Sequence, residues 1–326
     1  MILVTGATGF VGSALVRRLV AEGRPVRILR RATSSLAALA DEARRVEHAI
    51  GDVTDRASLD QAMAGVETVY HVAAAVAFGR RARPHLRAVN VEGTAHVVNA
   101  AREAGVARLV HTSSIAAVGR GAPGAETGPT LDESTPWTPS PFNTAYARSK
   151  RDAEREVLRG IAEGLDATIA SPALVWGPGP GATSEIVDRL AAGRMPLAPP
   201  GATSVVDVED VVSGLRLARD RGATGERYLL AAETLPWTDI LAALADALGV
   251  TPPRRIAPGW LLAAGGGLGE TWASLTRTEP SLTRETARTA RAAVGYDGSR
   301  AARELGLVYR PFAETAQRIA AARRST

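Results

Sequence analysis

Lys150 is the only lysine in a chain whose Lys and Arg residues number 39, so the other 38 are arginine. Tyr146 stands one helical turn before it, in Tyr146-Ala147-Arg148-Ser149-Lys150. On a helix that spacing places the phenol and the ammonium on one face. A phenol titrates near 10, and bringing it to pH 7 so that it can give or take a proton requires about 4 kcal/mol. A neighbouring ammonium acts in that direction by favouring the phenolate. The flexible lysine stem can also reach a ribose hydroxyl, which a planar guanidinium would do poorly. Upstream, the apolar run Arg108–Thr112 leads into Thr112-Ser113-Ser114-Ile115-Ala116-Ala117-Val118-Gly119. A serine at the carboxyl end of a central strand faces the crevice where doubly wound folds bind ligands, and its hydroxyl can polarise a carbonyl.

A second constellation lies at the start of the chain. Ile2–Thr5 reads as a strand and runs into Gly6-Ala7-Thr8-Gly9-Phe10-Val11-Gly12, which opens an apolar-periodic helix. Glycines at 6 and 9 permit a tight turn and close backbone approach to a pyrophosphate, and Gly12 permits close helix–strand packing. The helix N-terminus supplies N–H groups and a positive dipole end for the anion. The next strand, Val26–Leu29, ends at Arg30-Arg31. An NAD site usually carries a carboxylate there for the ribose hydroxyls, whereas a guanidinium suits the extra phosphate of NADP. Ser34 and Ser35 offer hydroxyl donors nearby, and NADP(H) is therefore expected over NAD(H). Asp52, in Gly51-Asp52-Val53, follows the third strand, where it could accept from an adenine amino group or serve as a turn residue.

These residues need a frame that brings strand ends together. Strand patterns at Ile2–Thr5, Val26–Leu29, Val46–Ile50, Thr68–Val72, Arg108–Thr112 and Ala167–Ser171 alternate with amphipathic helical stretches. That alternation implies a doubly wound parallel sheet, an α/β fold of Rossmann type, with right-handed crossovers. The expected organisation is a dinucleotide-binding domain over 1–172 and a smaller, mostly helical substrate lobe over 173–326, with some segments returning to the sheet. Helices in the second part are expected at Ser184–Ala192, Val208–Ala218, Thr238–Leu248 and Pro311–Arg324.

Composition removes other classes. There is no cysteine, hence no disulfide, thiol nucleophile or thiolate metal site. The formal charge of +5 is dispersed, which argues against nucleic acid as a partner. His48, His71, His85, His96 and His111 show no paired ligand spacing, so no metal is expected. The strand beginning at Ile2 leaves no room for a signal peptide, and the apolar stretch Ile256–Gly269 is shorter than the about 20 residues a bilayer span needs. A cytoplasmic protein without stable membrane insertion is expected. Trp260, Leu261, Leu262 and Leu268 would pack within the lobe, floor an apolar pocket or touch a membrane.

The glycine loop, the strand-end serine and Y-x-x-x-K together resemble the extended short-chain dehydrogenase/reductase family, over essentially the whole chain. The resemblance implies Tyr146 as proton donor, Lys150 as its modulator and ribose anchor, and Ser114, rather than Ser113, as the hydroxyl that orients the carbonyl. It implies cofactor contacts from Gly6, Thr8, Gly9, Phe10, Val11, Gly12, Arg30, Arg31, Ser34, Asp52, Val53, Ala73, Ala74, Thr112, Tyr146, Lys150, Pro172, Leu174 and Val175. Asn90 matches a helix position with either a structural or a relay role. Ser171 stands where many relatives carry an arginine. Val26–Arg31 and Glu279–Thr283 are similar to the dihydroflavonol-reductase-like group. The resemblance thus implies NADPH-dependent reduction of a small-molecule ketone or aldehyde, with sugar-nucleotide epimerase or dehydratase, hydroxysteroid dehydrogenase-like activity and NADP-sensing regulation as alternatives. Homodimerisation through Arg83–Glu103 and Thr144–Glu163 is a further implication.

Overall fold

The computed structural model describes residues 1–119, 130–181, 183–259 and 283–324. Most of the apolar stretch 256–269 and of the segment 279–283 therefore lies outside the described residues, as do Trp260, Leu261, Leu262 and Leu268.

Seven parallel strands form the main sheet: β1 (Ile2–Thr5), β2 (Val26–Arg30), β3 (Glu47–Ile50), β4 (Thr68–His71), β5 (Arg108–Thr112), β6 (Ala167–Pro172) and β7 (Arg227–Leu230). Their order is β7-β6-β5-β4-β1-β2-β3. The direction of winding reverses between β1 and β4, whose registers run Ile2 beside Thr68 to Thr5 beside His71. The crevice at that reversal is where a doubly wound sheet takes its ligand. The inner strands are apolar at successive positions because helices cover both faces. Leu3 belongs to one face cluster and Val4 to the other, and both are fully buried. Six strands fall within a residue of their expected bounds. The seventh is an addition, reached by the crossover helix Val208–Arg221.

The second part contains the four expected helices, now Ser184–Ala191, Val208–Arg221, Trp237–Leu248 and Phe312–Arg324. It also holds a three-stranded sheet that helical periodicity did not foresee, with Ala202–Asp207 between Glu233–Pro236 and Leu174–Trp176. Trp176, Ile240, Leu244 and Phe312 centre its core. Asp207, fully buried, caps the helix Val208–Arg221 through the Glu209 N–H and accepts from Arg318 and Thr315 on the last helix. Among the described residues no helix is long and apolar enough to cross a membrane.

Candidate active site

The described candidates for the cofactor and the proton-transfer group lie on the carboxyl ends of the main-sheet strands and on the segments beside them. At the centre, β1 turns at Gly6, whose φ of +69° is open to glycine. A Cβ at Gly6 would sit 2.6 Å from the Ala73 backbone, and one at Gly12 would sit 2.1 Å from the Gly6 carbonyl oxygen. The bare backbone thus forms a cradle that any side chain would fill. Helix Phe10–Ala21 starts from Gly9 with no side-chain cap, so its first-turn amides are available to an anion. These two observations fit a dinucleotide pyrophosphate. Phe10 is half-buried beneath Gly179 and Gly181, joining the loop to the second lobe, while Thr8 and Val11 line the loop half-buried.

The residues expected at the adenosine end lie on and after β2 and β3. Arg30 ends β2, and the Ser34 N–H closes a turn onto the Arg31 carbonyl at 3.0 Å, leaving Arg31 exposed and Ser34 half-buried. Asp52 is a turn residue: its Oδ1 accepts from the Thr54 N–H and hydroxyl, both at 2.9 Å. Val53 is buried in the core and its carbonyl faces His96. On the other side of the loop, the Ala73 N–H donates to Thr5 Oγ1 at 3.2 Å, and Ala74 is exposed. Thr5 in turn meets His71 Nδ1 at 2.8 Å. Burial pushes the His71 imidazole down to about 3, so it is neutral and serves as a strut between β1 and β4.

The residues expected to transfer the proton surround the end of β5. Helix Ala145–Ala162 is capped by Thr144, which accepts from the Ala147 N–H at 3.0 Å, and its inward face carries Tyr146, Lys150 and Glu154. The Ser114 hydroxyl stands beside the Tyr146 phenol, while Ser113 faces Glu154. The alternation of an extended strand end thus separates the two serines. Ser114 also accepts from the Ala116 N–H at 3.2 Å, which fixes its rotamer. Lys150 is 1% exposed and donates from Nζ to the Thr112 carbonyl at 2.8 Å.

That placement corrects the expected electrostatics. Burial raises the Tyr146 phenol and the Ser114 hydroxyl opposes it. The ammonium is not the counterweight, because it lies on a main-chain carbonyl. Burial brings Lys150 itself down to about 8, and Glu154 pulls the other way. Glu154 is pushed up by its own burial and held by an ion pair with Arg227 of β7. The Ser171 hydroxyl reaches Glu154 Oε1 at 3.4 Å. The guanidinium at this carboxylate therefore comes from the neighbouring strand, not from position 171. Spacing shows Glu154 one turn beyond Lys150, but nothing in the sequence joins Arg227 to it.

Asn90 has a structural part. Its amide brackets Ala75 through both backbone groups, at 2.7 and 2.9 Å, and reaches Ser149 Oγ at 2.9 Å. It thereby ties the loop after β4 to the helix of Tyr146 rather than contacting Lys150. That loop presents Val76 and Phe78, both exposed, and the Phe78 ring centre lies 6.4 Å from that of Tyr146. Pro172 is buried, and Leu174 and Val175 are half-buried where the chain leaves β6, with the Val175 carbonyl taken by the Thr183 hydroxyl.

Residues 2–231 match the profile of the NAD dependent epimerase/dehydratase family. The chain is 40% identical to the sterol demethylase protein B of Methylococcus capsulatus, covering 94% of this chain and 93% of that protein. It is 35% identical to a putative dihydroflavonol 4-reductase of Synechocystis, covering 93% and 89%. The crystal structure of gox2253 superposes with a TM-score of 0.84 at 34% identity, over 100% of this chain and 98% of that one. A parallel seven-stranded sheet with a glycine cradle, and a Ser–Tyr–Lys group at its central strand, accompany these similarities, and the chain belongs to the NAD dependent epimerase/dehydratase family as an NAD(P)-dependent oxidoreductase of the extended short-chain dehydrogenase/reductase type.

Proposed function

We propose that the protein reduces a moderately apolar ketone or aldehyde to an alcohol with NADPH. The observation that carries this reading is the Tyr146 phenol beside the Ser114 hydroxyl, with the exposed Phe78 ring centred 6.4 Å from its own. Gly6, Gly9, Gly12 and the first turn of helix Phe10–Ala21 would hold the dinucleotide, with Arg30, Arg31 and Ser34 at its ribose end. When bound, the cofactor supplies a hydride. Ser114 holds the carbonyl oxygen in line, and Tyr146 gives its proton to the alkoxide that develops there. Lys150, protonated, would donate to a ribose hydroxyl of the bound cofactor. The names of two relatives, a sterol demethylase protein and a dihydroflavonol 4-reductase, support a ring-bearing apolar substrate.

The test follows NADPH oxidation by the purified protein over aryl ketones, aldehydes and sterol ketones. A parallel mixture holds sugar nucleotides and no reductant. Turnover in the first set is expected. Epimerised or dehydrated sugar in the second, with no NADPH consumed in the first, would overturn the reading.

A further inference from the structure

Two arginines on β2 are held in different ways. Arg27 donates from Nε to the carboxylate of Glu47 at 2.7 Å, an ion pair that cancels its charge. Arg30 donates from Nε to the imidazole Nδ1 of His48 at 2.8 Å, and from Nη1 to the Arg31 carbonyl at 3.2 Å. No carboxylate among the described residues pairs with it. His48 lies on β3, its backbone in register with Ile28, so His48 and Arg30 are diagonal neighbours on one sheet face. The other ring nitrogen, Nε2, meets the Ala43 carbonyl at 2.8 Å.

These contacts determine the form of the ring. A carbonyl oxygen only accepts, so Nε2 carries the proton, and Nδ1, receiving the Arg30 N–H, carries none. His48 is a neutral imidazole that orients a guanidinium without compensating its charge. Among the described residues none hydrogen-bonds with Arg30 Nη2. A long arginine side chain loses rotamer freedom when it grips a ligand, and holding it in advance removes part of that cost.

We infer that His48 is a positioning residue for nucleotide selection: it aims the uncompensated Arg30 guanidinium at the 2′-phosphate that distinguishes NADPH from NADH. This rests on the reading of Arg30 as the phosphate partner. The imidazole's two contacts can be separated. In His48→Asn the amide oxygen takes the place of Nδ1 and keeps the acceptor for Arg30 while losing Ala43. In His48→Gln the amide nitrogen takes the place of Nε2 and keeps Ala43 while losing the acceptor.

Dissociation constants for NADPH and for NADH are measured by titration calorimetry on the wild type, Arg30→Ala, His48→Asn and His48→Gln. The wild type is expected to prefer NADPH, Arg30→Ala to lose the preference, His48→Asn to keep it, and His48→Gln to reduce it about tenfold by weakening NADPH alone. A wild type that binds both nucleotides equally overturns the reading of Arg30, and this inference with it. A preference that Arg30→Ala abolishes but His48→Gln leaves intact overturns the role of His48 alone. Equal losses of NADPH and NADH affinity in His48→Gln, which a loosened segment Ala37–Arg45 would cause, also overturn it.

Discussion

The nucleotide edge and the catalytic edge of the cleft keep their positive charges by opposite means. Arg30 stands half-buried at the end of β2, oriented by an uncharged ring. Lys150 is buried at the end of β5, lodged on a carbonyl, with the Glu154–Arg227 pair one helical turn away. A guanidinium stays protonated at any working pH, so the nucleotide edge needs only to aim its charge. An ammonium keeps or loses its proton according to its surroundings, so the catalytic edge must also maintain it. On the proposed reading selectivity and pH dependence reside on different strands, and variants should change them separately.

The largest effect is expected at the catalytic edge. Tyr146→Phe and Lys150→Arg should each lower single-turnover rates by at least about a hundredfold, with the ratio of NADPH to NADH affinity unmoved. Near-normal rates in both variants would remove the proton-transfer role from this edge.

The next effect belongs to the other edge. A charge-assisted contact contributes about 1.5–3 kcal/mol, so Arg30→Ala should weaken NADPH binding about ten- to a hundredfold and leave NADH binding nearly alone. Arg30→Asp should reverse the preference, since a carboxylate repels the phosphate but accepts from a free ribose hydroxyl. If either variant also displaced the pH profile, the two edges would be coupled and the separation wrong.

A smaller effect sharpens the electrostatic half of the contrast. With Lys150 titrating at about 8, its protonated form predominates at neutral pH, and turnover should decline as pH rises through that value. Glu154 favours the charged lysine, so Glu154→Gln should start the decline at a lower pH. The pH profile of the chemical step checks this, and an unshifted limb would reduce Glu154 to a packing role. Smallest of all, Phe78→Ala should raise KM for an apolar carbonyl a few-fold with kcat unchanged, as expected for a contact made equally before and during reaction.

The legibility of the sequence follows the same division. Six strands of the main sheet could be read because each is a short apolar run feeding an amphipathic helix, and the glycine loop because backbone approach leaves a residue-type signature. Tyr146, Lys150 and Ser114 come together where spacing and resemblance place them. β7 was missed because Tyr228-Leu229-Leu230 is too short for periodicity to distinguish strand from helix. The three-stranded sheet of the lobe escapes periodicity for a related reason, since its outer strands Leu174–Trp176 and Glu233–Pro236 are only three and four residues long. Arg227 and His48 were invisible in another sense. Their partners are distant in sequence, and only sheet order makes them neighbours. The expected Lys–phenol pairing failed because spacing along a helix shows which side chains share a face but not which carbonyl a flexible amine will settle on.

The solitary lysine has a practical consequence. Apart from the terminal amine of Met1, Lys150 is the only primary amine on the chain, and it is 1% exposed. An amine-directed reagent such as an active ester or an acylating group therefore finds almost nothing to react with on a surface covered in guanidinium. The slow growth of a second adduct, located by mass spectrometry at residue 150, would be a clock for the opening of the cleft. Its retardation by added nucleotide would report occupancy without any need to know the substrate.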